Sequence, residues 1–80
     1  MKLKNDIATS ESGFVFNAAR GESFTTNPIG VDILKLLKEK KEITEIQEAL
    51  EEKYQIDPTT LEKDLYDFFK ILKQYNLIEE

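Results

Sequence analysis

The sequence predicts a small α+β domain in which a three-stranded antiparallel β-meander is followed by three α-helices. Two turn pairs that contain glycine, Ser12-Gly13 and Arg20-Gly21, separate three short β-prone runs. Asn27-Pro28 and Asp57-Pro58 each place a capping side chain directly before a proline, which is the pattern of a helix start. Because the sheet and the helices each have an apolar face to bury, the helices are expected to pack on the sheet.

The three predicted strands lie at about residues 6–11, 14–19 and 22–26. The middle strand is expected to pair on both sides, so the first and third strands are edges. A two-residue turn at Arg20-Gly21 would place Phe24 on the opposite face of the sheet from Phe14 and Phe16. One extra bulge residue at that turn would bring the three phenylalanines onto one face. We favour the bulged register, because a three-stranded sheet needs one apolar face to pack.

The three predicted helices lie at about residues 28–38, 44–54 and 58–75. Asn27 and Asp57 are the expected caps of the first and third helices. Thr44, with Gln47 three residues later, predicts a capping box at the start of the second helix. Asn76 can adopt the left-handed conformation that ends a helix, and we expect it to end the third. The residues after it, Leu77-Ile78, are expected to fold back as a short apolar anchor.

The composition restricts the chemistry that the chain can perform. Its 80 residues contain no Cys and no His, so thiolate and imidazole groups are absent as nucleophiles, bases and metal ligands. The three glycines are isolated and form no phosphate-binding loop. One domain spanning residues 1–80 is therefore predicted, with no enzymatic activity, no catalytic residue, no metal site and no cofactor.

No stretch of about 18 apolar residues is present, and the first residues lack the apolar core of a secretory signal. A cytoplasmic location without a membrane partner is therefore expected. The net charge of −5 also argues against nucleic acid as the main partner, because affinity for a phosphate backbone comes largely from basic side chains.

A winged helix-turn-helix regulator of DNA is one alternative, because three helices beside a small sheet suit that architecture. The charges argue against it. The first two turns of the third helix, which would enter the major groove, are its acidic part. Only Arg20 is available for bidentate contacts with bases. The charged residues of the helix sum to zero and are Glu62, Lys63, Asp64, Asp67, Lys70 and Lys73.

The third strand has the character of an open edge. Residues 23–26 contain none of the Lys or Pro residues that usually protect an edge strand from a further strand. On the third helix, Asp64, Asp67 and Ile71 form a flank beside Phe68. A groove between such a flank and an edge strand suits the binding of an extended peptide. Two alternatives remain open: an ordinary edge covered by a neighbouring element, and a structural domain that pairs its third strand with a second copy.

The segments "GESFTTNPIGVDILKLL" and "EITEIQEALEEKYQIDPTTLEKDLYDFFKILKQYNLI" resemble the PqqD family over about residues 13–78. The members are small peptide chaperones, also called recognition elements for ribosomally synthesised and post-translationally modified (RiPP) precursor peptides. The resemblance implies a winged-helix-like domain that binds the leader segment of a precursor peptide by β-augmentation. It also implies a partner enzyme that modifies the precursor, such as a radical-SAM protein or a cyclodehydratase.

Carried onto this chain, the resemblance implies that the leader pairs with the third strand and that its side chains lie against the third helix. The domain itself is expected to be a monomer or a weak homodimer. The implied peptide-binding residues are Ser23, Phe24, Thr25, Thr26, Asp64, Asp67, Phe68 and Ile71.

Three positions depart from the pattern of the family. Thr26 stands where a Leu commonly precedes the Asn that ends the third strand. The Gly that usually follows the first helix is replaced within "KEKKE" at residues 38–42. Asn76 replaces the Gly that often ends the third helix, although Asn can adopt the same left-handed geometry.

Overall fold

A computed structural model describes residues 2–79 of the chain. Three strands form an antiparallel sheet and three helices follow, so the predicted α+β class is confirmed. A second, two-stranded sheet joins the two ends of the described chain. The elements, in chain order, are β1 (Lys2–Leu3), β2 (Ile7–Thr9), β3 (Phe14–Asn17), β4 (Glu22–Thr25), α1 (Pro28–Lys38), α2 (Ile43–Tyr54), α3 (Pro58–Gln74) and β5 (Ile78–Glu79).

The main sheet has the strand order β2-β3-β4, so the middle strand of the meander is central and its neighbours are edges. The strand predicted third is therefore β4. Gly13, in the first hairpin, has a φ of 94°, and a side chain there would also overlap the carbonyl oxygen of Thr26. Gly21, in the second hairpin, has a φ of 65°. Gly13 therefore requires glycine, whereas Gly21 has the left-handed conformation that glycine adopts most readily.

The register of the second hairpin differs from the bulged register that we favoured. Val15 lies opposite Phe24, and Phe16 lies opposite Ser23. Residues that are directly opposed point to the same face of the sheet, so Phe24 shares a face with Val15. Phe14 and Phe16 lie on the other face. The bulged register was wrong.

The loop between the two strands explains this register. Asn17 and Glu22 form the last opposed pair, which leaves residues 18–21 in the loop. The side chain of Asn17 is buried, and its Oδ1 accepts a hydrogen bond from the Ala19 N–H at 3.1 Å. Its carbonyl oxygen accepts another from the Arg20 N–H at 3.3 Å. These hydrogen bonds to the buried Asn17 hold residues 18–21 as a four-residue loop. A four-residue loop sets a different strand register from a two-residue turn at Arg20-Gly21.

The sheet does have one apolar face, but two of the three phenylalanines are not on it. Ile7 and Val15 are buried, and Phe24 packs against the core that they join. Phe14 and Phe16 lie on the open face and are 48% and 40% exposed. The buried face of the sheet is therefore formed by Ile7, Val15 and Phe24. The bulged register would have formed it from three phenylalanines.

β1 and β5 form an antiparallel pair in which Leu3 lies opposite Ile78. The fold-back expected at the end of the chain is present, since Leu77 and Ile78 are buried. Its pairing partner, β1, is not among the predicted strands. Strands of this length carry no periodic signal, and this pair depends on residues from the two ends of the described chain.

α1 is capped by Asn27, whose Oδ1 accepts a hydrogen bond from the Gly30 N–H at 2.8 Å. The helix ends in a Schellman motif: the Lys40 N–H donates to the Leu37 carbonyl at 3.0 Å, and the Lys41 N–H donates to the Leu36 carbonyl at 3.1 Å. Lys40 occupies the left-handed position of that motif, with a φ of 63°.

α2 begins at a different capping box from the predicted one. Its N-cap is Glu42, whose side chain accepts from the backbone of Glu45. Glu45 Oε1 in turn accepts from the Glu42 N–H at 3.0 Å. The predicted capping box of Thr44 and Gln47 was wrong. Glu42 and Glu45 form the same reciprocal bonds two residues earlier, and their negative charges are stabilised by the positive end of the helix dipole.

α3 is capped as predicted by Asp57, whose Oδ2 accepts from the N–H groups of Thr59 at 3.1 Å and Thr60 at 3.2 Å. Its last residue is Gln74, and Asn76, two residues later, has the predicted left-handed conformation with a φ of 59°. A Schellman motif follows α3 as well: the Asn76 N–H donates to the Lys73 carbonyl at 3.0 Å, and the Leu77 N–H donates to the Leu72 carbonyl at 2.9 Å. Within residues 2–79, no helix combines the length and apolar character needed to cross a bilayer.

The core lies between the sheet and the helices. Outside it, a polar contact joins α1 to α2: Asp32 accepts a hydrogen bond from the Tyr54 hydroxyl and one from Lys53 Nζ at 3.0 Å. Burial raises the pKa of Asp32, but these hydrogen bonds outweigh it and the pKa is lowered below its ordinary 3.8. The most deeply buried side chains are Val15, Leu34, Ile46, Leu50, Leu61, Leu72 and Leu77.

Candidate functional site

The outer edge of β4 has unpaired backbone groups. The Thr26 N–H donates to the Gly13 carbonyl at 2.7 Å, so the backbone of Thr26 faces β3. The direction of the N–H and C=O groups alternates along an antiparallel strand, so the backbone N–H and C=O of Phe24 also face β3. The N–H and C=O groups of Ser23 and Thr25 then point away from the sheet. These two residues carry the free hydrogen-bonding groups of the edge.

No strand among residues 2–79 covers this edge, because β4 is the last strand in the order β2-β3-β4. Ser23 and Thr25 are exposed. The only charged residue of β4 is Glu22, at its beginning, where it forms an ion pair with Arg20 Nε at 2.7 Å. An edge with short, uncharged side chains leaves its backbone accessible to a further strand.

A groove of about 290 Å³ lies between α1 and α3. Its α3 wall contains four of the predicted binding residues, so the structure brings this part of the prediction together. The other four predicted residues, Ser23, Phe24, Thr25 and Thr26, do not line the groove. Its lining residues are Asn27, Ile29, Gly30, Ile33, Leu61, Asp64, Leu65, Asp67, Phe68 and Ile71.

Gly30 connects this groove to the end of β4. A Cβ atom at Gly30 would overlap Oγ1 of Thr26 and would lie 3.1 Å from Cε1 of Phe68. The absence of a side chain therefore allows Thr26 and the ring of Phe68 to approach the helix backbone from two directions. Gly30 was not among the predicted site residues, although an isolated glycine inside a helical pattern signals such close packing.

A second contact joins β4 to the other end of α3. The ring of Phe24 stacks on the ring of Tyr75, with centroids 5.5 Å apart and an angle of 20° between the planes. Phe24 therefore contacts the C-terminal end of α3, whereas Thr26 lies beside Gly30, close to the ring of Phe68 in the middle of that helix. Tyr75 was missed because it lies just beyond the last full turn of the predicted apolar stripe.

The charges that line the groove have one sign. Asp64 and Asp67 both line it, and no basic side chain does so among residues 2–79. Ile71 is 42% exposed, so the carboxylates stand beside an accessible aliphatic surface. In the same part of the chain, no group of three or more carboxylates is arranged to hold a metal ion. The chemistry available here is hydrogen bonding, apolar contact and attraction of cations.

The sequence matches the family model described as Coenzyme PQQ synthesis protein D (PqqD) over residues 13–78. The chain belongs to the PqqD family. The resemblance identified from the sequence is therefore confirmed. Among curated protein sequences, none matches this chain.

Solved structures of two similar proteins share this PqqD fold. One is TbiB1 in complex with the TbiA(beta) leader peptide, with a TM-score of 0.86 and 30% sequence identity, covering 99% of this chain and 95% of that chain. The other is a lasso peptide synthetase B1 complexed with the leader peptide, with a TM-score of 0.81 and 17% identity. It covers 99% of this chain and 96% of that chain, and at this identity it shows the fold alone.

Proposed function

We propose that this PqqD-family domain binds the leader segment of a ribosomally synthesised precursor peptide and presents it to a maturation enzyme. The observation that carries the proposal is the free edge at Ser23 and Thr25, on a strand that contacts α3 through Phe24 and Tyr75 and leads directly to the groove at Asn27. Support also comes from TbiB1, which is 30% identical to this chain and was solved in complex with a leader peptide.

The leader would add a fourth strand to the main sheet. Its backbone would exchange hydrogen bonds with Ser23 and Thr25, and these bonds would supply affinity with little dependence on the leader sequence. Alternate side chains of the leader point to the same face of the extended sheet. Those on the α3 side would contact Phe68 and Ile71, which supply the apolar part of the recognition. Phe24 and Thr26 would not contact the leader through their side chains and would instead hold β4 in place, Phe24 by its contact with Tyr75 and Thr26 by its contact with Gly30.

The acidic residues of the groove favour a particular kind of leader. A lysine or arginine next to an apolar anchor residue would lie close to Asp64 and Asp67 while the anchor contacts Ile71. Such pairs form charge-assisted hydrogen bonds where they are partly shielded from water. They also steer the approach of a basic segment.

The domain would act without catalysing a reaction, since it contains neither His nor Cys and its groove has no paired nucleophile and base. The chemical step would belong to the modifying enzyme, such as a radical-SAM protein or a cyclodehydratase. We place this activity in the cytoplasm, where ribosomes release precursor peptides. DNA binding is the weaker alternative, because the groove flank of α3 carries Asp64 and Asp67.

The test is a titration of the isotopically labelled domain with the leader of a short precursor gene encoded next to its own. Amide signals of Ser23 and Thr25 should shift together with those of Asp64 through Ile71. A leader that is N-methylated at alternate residues should lose binding in one phase of the alternation and retain it in the other, because only one phase pairs with β4. Binding that is insensitive to both N-methylation phases would contradict β-augmentation.

Pairing of β4 with a second copy is separated from this proposal by measuring mass in solution across a range of concentrations. A leader binder remains monomeric or becomes monomeric when the leader is added. A stable dimer that the leader does not dissociate would favour the self-pairing alternative.

A further inference from the structure

A second cavity, of about 420 Å³, lies at the other end of α1 from the groove. Its walls come from β1, the segment after β1 and the end of α1. Four of the chain's 11 basic residues line it, and no carboxylate does so, although the net charge of the chain is −5. We call it the lysine cavity; its lining residues are Lys2, Leu3, Lys4, Asn5, Ile7, Leu37, Lys38 and Lys40.

The four lysines of this cavity have no acidic partner within the described part of the chain. Ion pairs there join Arg20 to Glu22, Lys35 to Glu11 and Lys53 to Asp32, and none involves a lysine of the cavity. Lys2 stands opposite Glu79 in the strand pair without forming an ion pair with it. Four uncompensated ammonium groups around one concavity produce a local positive potential on an otherwise acidic molecule.

One of these lysines has an unfavourable backbone. Lys40 occupies the left-handed position of the Schellman motif, with a φ of 63°. Glycine adopts this conformation without steric cost, whereas a residue with a Cβ atom does not. A strained residue that carries a charged side chain into a cavity suggests a functional reason for its presence.

We propose that the lysine cavity is a docking site for an acidic segment of a partner protein. The carboxylates of that segment would pair with the four lysines, and an aliphatic side chain between them would lie on the lysine stems. The proposal goes beyond leader binding and does not depend on it, because the two surfaces share no residue.

Other anionic partners fit this surface less well. No arginine and no aromatic ring lines the cavity, so it lacks the groups that read or stack bases. It adjoins the C-terminal end of α1, where the N–H groups of Glu39, Lys40 and Lys41 are all bonded to carbonyl groups of the helix, so no cluster of free N–H groups is present to hold a small phosphate. Leu3, Ile7 and Leu37 are buried in its floor, so they are not placed to enter a lipid bilayer.

The two surfaces lie at opposite ends of one helix. The groove is lined by residues of α1 up to Ile33, and the cavity is lined from Leu37 onward. A protein docked at the lysine cavity would therefore leave the edge of β4 open. This arrangement allows the domain to hold a leader and an acidic partner surface at the same time.

The test uses the full chain, isotopically labelled, and a blocked peptide of sequence Glu-Glu-Leu-Glu-Glu at low salt. Amide signals of residues 2–5 and 37–41 should shift, while those of Asp64 and Phe68 should not. The double substitution Lys38→Gln and Lys40→Gln should weaken binding about fivefold, as expected for two exposed charge pairs. The matched control, Lys63→Gln with Lys70→Gln, makes the same change in net charge on α3 and should leave binding unchanged.

Three results would overturn the proposal: equal binding of Gln-Gln-Leu-Gln-Gln, equal weakening by the control pair, or no shift at residues 2–5 and 37–41. Inorganic phosphate and vesicles of phosphatidylcholine with phosphatidylglycerol are titrated in parallel. Stronger shifts of the same signals with either probe would assign the cavity to a small anion or to a membrane instead. Circular dichroism of each variant verifies that it is folded, and failure here leaves the leader-binding proposal unaffected.

Discussion

Gly30 of α1 and Phe68 of α3 approach so closely that a Cβ atom at position 30 would lie 3.1 Å from the ring. The same Cβ atom would overlap Oγ1 of Thr26. The end of β4, the first turn of α1 and the middle of α3 are therefore held together at a point where only glycine fits. Leader binding and stability should both depend on this point.

The substitution Gly30→Ala should destabilise the domain by about 1 kcal/mol, because the cost of overpacking exceeds the gain in helix propensity. Adding Thr26→Ala should restore most of that loss, since it removes the overlapping oxygen. Chemical denaturation of the two single variants and the double variant measures this coupling. Additive effects of the two substitutions would contradict the contact.

The register of the second hairpin makes opposite predictions for two adjacent residues. Val15→Ala should lower the free energy of unfolding by about 2 kcal/mol, because Val15 is fully buried. Phe16→Thr should change it by less than about 1 kcal/mol, since Phe16 lies on the open face and Thr retains β propensity. Denaturant titration decides between the registers: a larger loss at Phe16 than at Val15 would restore the bulged one.

The acidic residues of the groove should contribute to leader affinity through charge. Asp64→Asn and Asp67→Asn should each weaken the binding of a basic leader about threefold, and the double variant should show a shallower dependence on salt. Glu48→Gln on the exposed face of α2 is the matched control and should have no effect. Calorimetric titration at two salt concentrations measures both quantities. If Glu48→Gln weakens binding equally, the loss comes from the net charge of the domain and not from the position of Asp64 and Asp67.

Stability should fall in acid partly through Asp32. Its pKa is lowered in the folded state, so its contribution is complete above the ordinary pKa of 3.8 and is lost as the pH falls through the folded value. Asp32→Asn should therefore be less stable than the parent at neutral pH and should lose less stability below about pH 4. The pKa of Glu11 is also lowered, by its hydrogen bond with Lys35, so Glu11→Gln serves as the comparison at an exposed site. If the free energies of unfolding of the parent and of Asp32→Asn fall equally as the pH is lowered through this range, Asp32 does not contribute to the acid sensitivity.

The left-handed residue after α1 offers a stabilising substitution. Lys40→Gly should raise the free energy of unfolding by about 0.5–1 kcal/mol, because glycine adopts its φ of 63° without strain. Asn76→Gly, at the corresponding position after α3, should gain less, because asparagine tolerates this conformation. Thermal denaturation of both variants provides the comparison. A gain at Asn76 that equals the gain at Lys40 would argue against strain at the lysine.

Local rules were sufficient for the parts of the fold that neighbouring residues determine. The caps at Asn27 and Asp57 and the left-handed Asn76 were predicted because each depends on bonds within one turn of the chain. The capping box of α2 was displaced because Thr44 and Glu42 offer similar local bonds, and the stronger carboxylate pair formed.

Features that depend on distant residues were not predicted. The register depends on the buried Asn17, which only the packed structure identifies. β1 requires a partner from the far end of the described chain. For the site, helix geometry placed Asp64, Asp67 and Ile71 on one flank beside Phe68. Gly30 and Tyr75 were not predicted, because they contact the end and the middle of β4 only through tertiary packing. The role of all these residues in binding remains a prediction.

The pairing of Lys2 with Glu79 brings the two ends of the described chain side by side. A short Gly-Ser linker could therefore join them without distorting the fold, and new termini could be opened in an exposed loop such as residues 18–21. For the same reason the domain is suited to insertion into a surface loop of a second protein. If the second protein is the modifying enzyme, such a fusion would hold the leader-binding domain at a high effective concentration beside it and leave the β4 edge free.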